Sequence, residues 1–305
     1  MSPTGEQFRL HLGNQEAYVT EVGAHLRAYT VDGRDIIVPF GADEEPPASH
    51  GAVLAPWPNR LADGRYTFEG RTYQLPITEP DRHNALHGLV QTTPFTALEH
   101  TDERVVLTLD LEPDDGYPFP LRLQVAYDLD AGGLQVTVTA TNTGSTDAPY
   151  GIGFHPWLSP GAGTVDECFL SVDAAKWIRP DDRLLPVGVE AIPPALDFRP
   201  GRTVATTSLD DAYAGAVFRS GRSWVRLVST DGWASSIWME APLGTWQVCT
   251  GDFPELGRYE RSGVAAEPMS CAANAFNTGR DLVVLAPGGS HQVRWGLVGK
   301  RTDGE

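Results

Sequence analysis

Leu121-Arg122-Leu123-Gln124-Val125-Ala126-Tyr127-Asp128-Leu129, a break at Gly132-Gly133, then Leu134-Gln135-Val136-Thr137-Val138-Thr139-Ala140-Thr141: this stretch places an apolar side chain at every second position. A period of two over segments of this length is the pattern of half-buried β-strands. The same alternation appears upstream at Val105, Leu107, Leu109 and Leu111, and again near the end at Val293, Trp295 and Leu297. No window of helical periodicity competes with it.

The punctuation agrees. Asp32-Gly33, Asp63-Gly64 and Glu69-Gly70 sit between alternating segments, and such pairs tolerate the positive φ of tight hairpins. With 32 glycines and 24 prolines in 305 residues, strands are cut short and long helices have little room. The expectation is an all-β protein, a large antiparallel assembly of two packed sheets with the core between them. No domain boundary stands out, so residues 1–305 read as a single domain. Residues 179–203, rich in proline and charge, read as a long excursion from the sheets.

Apolar residues make up 41% of the chain, enough for a substantial core. The net charge of −17 repels phosphate backbones and anionic lipid, which disfavours nucleic acid and membrane surfaces as partners and is compatible with a neutral ligand. Three widely spaced cysteines, Cys168, Cys249 and Cys271, suggest neither a disulfide framework nor a thiolate zinc cluster. With no basic-then-apolar leader at the N-terminus, the expected location is the reducing cytoplasm.

Three stiff segments carry candidate chemistry. In Gly153-Phe154-His155-Pro156-Trp157, proline fixes its own φ and pushes His155 toward extended backbone, so a residue able to act as acid or base is held at a strand end. A hydrogen-bonded histidine in an aromatic corner is the commoner reading of this pentapeptide alone. In Pro56-Trp57-Pro58-Asn59-Arg60, a rigid aromatic frame precedes an always-charged fork of donors suited to hydroxyls or a carboxylate. In Ala265-Ala266-Glu267-Pro268-Met269, a carboxylate sits among small and apolar residues, a setting that raises its pKa. Glu240 looks alike, and the sequence does not rank the two. His83 and His87 are four apart, but Pro80 and Gly88 bracket them and no glutamate lies between. The segment reads as a loop carrying one functional histidine, without a metal.

The order of these signals resembles that of the aldose 1-epimerases, or galactose mutarotases: Asn59-Arg60, His87-Gly88, the Gly153–Trp157 pentapeptide, Asp211, Gln247 and Glu267. The resemblance runs from about Asn59 to the C-terminus and implies the family's β-supersandwich. It also implies roles. Glu267 is the base for the anomeric hydroxyl and His155 the acid for the ring oxygen. Asn59, Arg60 and His87 grip hydroxyls or the ring oxygen, and Asp211 and Gln247 bind the sugar, the match favouring Asp211 over the adjacent Asp210, between which the sequence does not decide. The implied partner is a small sugar such as galactose or glucose, with no cofactor. The chain departs from the family pattern at Leu89, where many members have a second glycine, and at Trp157, where tyrosine is usual. Only an echo of the family's late motif appears, in Ala273-Asn274-Ala275-Phe276-Asn277. These departures bear on the preferred sugar. A related branch acts on hexose 6-phosphates, but Gln91-Thr92-Thr93 offers no basic residue for the phosphate. A non-catalytic carbohydrate-binding protein is the other alternative.

Overall fold

The computed structural model describes residues 2–302. The stretch quoted first forms two ten-residue strands, Leu121–Asp130 and Gly133–Asn142. They pair antiparallel with Leu123 opposite Ala140 and Val125 opposite Val138. Arg104–Leu111 joins on one side and Ser290–Arg301 on the other. These four are the middle of a nine-stranded sheet. It continues through Trp233–Met239, Ser223–Val228 and Phe169–Val172 to Arg202–Thr203 at one edge, with Thr96–His100 at the other.

A second sheet of eight strands runs, edge inward, from Pro186–Glu190 through Ala174–Pro180, Asp210–Ala216, Thr245–Cys249 and Val264–Met269 to Gly153–Phe154 and Val53–Leu54, with Trp157–Leu158 also paired to Val264–Met269. One contiguous core lies between the sheets and extends from Phe8 to Leu297. Val136, Val138, Ile237 and Trp295 supply it from the larger sheet, and Trp246, Val248, Ala266 and Phe154 from the smaller. Phe154 and Trp295 meet across it with ring centroids 5.1 Å apart. A four-stranded sheet from Gln7 to Asp35 precedes these elements.

Two details refine the sequence reading. Asp32-Gly33, Asp63-Gly64 and Glu69-Gly70 all have positive φ at both residues, the geometry of tight two-residue hairpins. Residues 179–203 are more ordered than an excursion. Ala174–Pro180 and Pro186–Glu190 form an edge hairpin of the eight-stranded sheet, with a register shift at Pro180 opposite Pro186. Proline is tolerated at such an edge because its missing N–H has no inner neighbour to bond.

The alternation that builds the core also builds a second face. Wherever one residue of the eight-stranded sheet points into the sandwich, the next points away. Trp246, Val248 and Ala266 enter the main core, while Trp157, Cys249 and Ala265 join a smaller cluster with Val38, Phe40 and Tyr259 on the opposite side. The candidate site stands on that opposite side.

Candidate active site

A cavity of about 310 Å³ opens on this face, at the low end of the range usual for small-molecule sites. Among its lining residues are Asn59, Arg60, His87, His155, Asp210 and Glu267. Glu267 lies mid-strand in Val264–Met269 and is 2% exposed; His155 is 7% exposed. His155 is fixed by its backbone: its N–H donates to the Ala52 carbonyl at 3.0 Å and its own carbonyl accepts from Gly51 at 2.9 Å. The Pro156 carbonyl accepts from Ala266, one residue before Glu267. That tie brings the two side chains together, with His155 Nε2 3.4 Å from Glu267 Oε1.

Burial dominates the electrostatics of the pair. It pushes the Glu267 carboxyl well above the usual carboxylate range, with Asp210 adding repulsion and Arg60 opposing it. It pushes His155 down to about 3. Both shifts favour neutral forms, so the pair holds one proton between carboxyl and imidazole over a broad pH range. Glu267 Oε2 and His155 Nδ1 are buried and unpartnered. Buried polar atoms left unpaired in a cavity are available to a ligand that brings hydroxyls.

The surrounding groups are arranged around this pair. Asn59, at φ 56°, turns the chain after Pro56-Trp57-Pro58; asparagine tolerates the left-handed region. Its backbone N–H donates to His87 Nδ1 at 3.2 Å. The His87 proton is thereby assigned to Nε2. Burial holds this ring neutral, well below the ordinary histidine value. The rings of His87 and His155 meet edge-on at 5.3 Å, and Trp157 stacks on His155 at 5.6 Å and on His50 at 4.7 Å. Arg60 donates from Nε to both oxygens of Glu79 at 3.1 Å, from Nη1 to Asn59 Oδ1 at 3.3 Å, and from Nη2 to Asp210 Oδ2 at 3.4 Å. Gln247 Nε2 donates to Asp210 Oδ1 at 2.6 Å.

Asn59, Arg60, His87, His155 and Glu267 therefore converge on one cavity, and Gln247 reaches it through Asp210. Asp211 does not. It accepts from Trp177 Nε1 at 2.7 Å, and the residue facing the cavity is Asp210. The reason is strand parity. Leu209 and Tyr213 are core residues, so Asp211, between them in the alternation, shares their side of the sheet. Burial raises the Asp211 carboxyl while the Trp177 bond opposes this. The Leu209-x-Asp211-x-Tyr213 spacing contained this signal in the sequence.

The other singled-out residues fall elsewhere. His83 is exposed and bonds Asp63 at 3.0 Å, so it does not join His87. Among the described residues no cluster of three or more His, Cys, Asp or Glu side chains is placed to hold a metal ion. Glu240 pairs with Arg222 and Arg294, away from the cavity. Cys249 lines the cavity wall, with burial holding its thiol well above the ordinary value, and all three cysteines are buried and free. Glu79, Arg82 and the apolar rim of Phe253 and Leu256 also line the cavity and were not legible as site residues. Their place depends on chain meetings that no local motif encodes. Among the described residues no helix is long and apolar enough to cross a membrane.

Comparison with known proteins fits this geometry. The model of the family "aldose 1-epimerase" matches residues 6–297. An uncharacterized protein of Escherichia coli K12, YihR, is 35% identical over 303 residues, covering 99% of this chain and 96% of its own. The galactose mutarotase of Mus musculus is 29% identical over 207 residues, covering 62% of this chain and 58% of its own. Among solved structures, the GalM/aldose epimerase homologue of C. elegans superposes with a TM-score of 0.85 at 20% identity, covering 98% of this chain and 99% of its own. A galactose mutarotase-like protein of Clostridium acetobutylicum gives 0.85 at 18% identity, covering 96% and 94%. The fold is thus that of the galactose mutarotase-like β-supersandwiches. The chain belongs to the aldose 1-epimerase family, whose activity in general is that of sugar epimerases, or mutarotases, a class of isomerases.

Proposed function

We propose that this protein interconverts the α and β anomers of a free hexose such as galactose or glucose, with Glu267 as base and His155 as acid. The observation that carries the reading is the contact between these two side chains in the wall of a sugar-sized cavity, where each keeps one polar atom unpaired. Glu267 takes the proton of the anomeric hydroxyl while His155 gives one to the ring oxygen, and the C1–O5 bond breaks. The aldehyde turns about C1–C2 and closes on its other face, with the two groups exchanging roles. The pair begins and ends with one proton, so the cycle consumes nothing. Each transfer typically contributes about 10²–10⁴-fold.

Asp210 takes the place that the resemblance gave to Asp211: a carboxylate that accepts sugar hydroxyls, oriented by Gln247 and Arg60. Asn59, Arg60 and His87 supply the remaining polar grip. The charge of the cavity supports a neutral sugar over a hexose 6-phosphate. Besides the proton-sharing Glu267, three carboxylates line it, Glu79, Asp210 and Glu255, against the guanidinium groups of Arg60 and Arg82. A phosphate dianion would enter against that balance.

Optical rotation of freshly dissolved α-galactose, α-glucose and glucose 6-phosphate tests the reading. Free hexoses should reach equilibrium faster than in buffer. Glu267→Gln and His155→Asn should each remove at least about 100-fold of the rate while circular dichroism is unchanged. Sugar binding by calorimetry with no acceleration of mutarotation would identify a carbohydrate-binding protein instead, and acceleration restricted to glucose 6-phosphate would move the chain to the phosphosugar branch.

A further inference from the structure

Glu79 lies just before the Pro80–Arg82 turn, and its carboxylate lines the cavity. It is saturated with donors. Arg60 Nε reaches both oxygens at 3.1 Å, Arg82 Nη1 reaches Oε1 at 3.2 Å, and Asn84 Nδ2 reaches Oε2 at 2.8 Å. A carboxylate offers about four lone-pair sites, and each is occupied. No acceptor capacity is left for a sugar hydroxyl. Asp210 is the contrast: Gln247 and Arg60 each take one site, which leaves acceptor capacity facing the cavity.

We infer that Glu79 is a positioning residue for the epimerase proposed above: it pins Arg60 by its Nε edge and offsets its charge, so that Nη1 and Nη2 stay turned toward Asn59, Asp210 and the bound sugar. The inference rests on that reading of the cavity but not on any one sugar. Among the described residues, Glu79 and Asp210 are the two carboxylates that Arg60 bonds. Without Glu79, the guanidinium has Asp210 as its sole anionic partner. The planar fork then rotates onto that carboxylate in the bidentate geometry arginine prefers and covers the lone pairs meant for the substrate. Glu79 is itself held from behind. Asn84 Nδ2 also reaches the Arg183 carbonyl at 3.3 Å, and Arg183 Nη2 donates to Asn84 Oδ1 at 3.2 Å. The edge hairpin of the eight-stranded sheet thereby braces the arginine through two residues.

The charged and titratable groups around Glu79 define its electrical role. Arg60 and Arg82 touch it. Asp210, His87, Glu255 and the His155–Glu267 pair share the cavity with it, and Arg183 lies beyond Asn84. Removing the Glu79 charge leaves Arg60 less compensated, and Arg60 favours the ionised form of Glu267.

Glu79→Gln tests the inference because it keeps size and one acceptor oxygen while removing the charge. KM for the hexose should rise by about 10- to 100-fold, the value of a hydrogen bond to a charged group, with a smaller change in kcat. The alkaline limb of kcat/KM should move to lower pH. A residue needed only for folding would lower the active fraction and move neither KM nor the limb. In the resting protein, carbon-13 NMR of the glutamate carboxyls, assigned with Glu267→Gln, should show the same downward shift of the Glu267 titration in Glu79→Gln. Glu79→Ala, which leaves the Nε edge of Arg60 without a partner, should raise KM further. A folded Glu79→Gln protein with wild-type KM and an unmoved Glu267 titration overturns the inference. Wild-type protein that accelerates no aldose overturns the epimerase reading instead, and the carbon-13 titration still decides whether Glu79 compensates Arg60.

Discussion

At the scale of single residues, the proposed chemistry turns on one proton shared by two buried groups. In the state that holds it, either the carboxyl or the imidazole can be the donor, and the macroscopic titrations belong to the pair. A second proton, added at acid pH, leaves no base. Loss of the shared proton at alkaline pH leaves no acid. Because burial lowers His155 to about 3 and raises Glu267 well above its ordinary value, kcat/KM should follow a bell with an unusually wide plateau. Its acid limb should lie well below the ~6.5 of an ordinary histidine. Initial rates of mutarotation from pH 3.5 to 10 measure it, corrected for the buffer reaction. An acid limb near 6.5 would mean that the imidazole titrates as if exposed, contrary to its burial. The two adjacent aspartates give a second test at this scale. Asp210→Asn should raise KM for the hexose by about tenfold or more, the value of a hydrogen bond made by a charged group, whereas Asp211→Asn should leave KM near wild type because its partner is Trp177. The reverse order would restore Asp211 as the sugar ligand.

At the scale of elements, the strands were legible because their signal is local. Leu121 to Ala140 announces two paired strands whatever lies elsewhere, and the hairpin turns at Asp32-Gly33 and Glu69-Gly70 need only their own two residues. The same alternation decides which side chains reach the cavity, but only once one residue of each strand is known to face the core. For Asp210–Ala216 the deciding residues were Leu209 and Tyr213, which put Asp210 on the cavity side, whereas a match of motif alone favoured Asp211. Glu79 was harder still. Its function exists only where the Pro80–Arg82 turn meets the Arg60–Ala62 strand, and no spacing in the sequence records that meeting. Gly88 shows how such meetings constrain sequence. It follows His87 with φ 74°, and a Cβ there would lie 2.1 Å from the Ala55 carbonyl oxygen, which also accepts the Leu89 N–H at 2.7 Å. Neither backbone segment can yield without moving His87 or the chain leading to Asn59. Gly88→Ala should cost about 2 kcal/mol or more and reduce kcat/KM, read by urea denaturation and by mutarotation on the folded fraction. A neutral effect on both would mean that this crossing is loosely packed.

At the scale of the whole molecule, the site imposes a pH limit on the fold. His25, His50, His87 and His155 are buried close to one another: His25 Nδ1 contacts the His50 carbonyl, His50 stacks on Trp157, Trp157 on His155, and His155 meets His87. Burial lowers all four, His50 and His155 to about 3, even though the carbonyls around His25 favour its charged form. In the unfolded chain each titrates near ~6.5. At His25, His50 and His87 the unfolded state therefore binds more protons between those values, and stability falls as pH falls, whereas the His155–Glu267 pair holds one proton in both states between the ordinary carboxyl and imidazole values and adds no slope there. The contribution is complete above the unfolded value and is lost progressively toward the folded one. A tenfold difference in proton affinity between the two states is worth about 1.4 kcal/mol. His50, held near 3, therefore contributes strongly to this loss. Stability should accordingly decline toward acid pH, although the protein's many carboxylates become neutral there and net repulsion declines. Denaturation midpoints in urea at pH 7.5, 6.5, 5.5 and 4.5 would trace the loss. Replacing His50 with phenylalanine should flatten that slope, since the aromatic ring keeps the stack on Trp157 but binds no proton. The neutral-pH stability of this variant reports the separate cost of losing the Nδ1 contact to the Pro47 carbonyl, which keeps the backbone N–H of residue 50 at 2.9 Å. A slope unchanged by the substitution would place the acid sensitivity in carboxylates elsewhere.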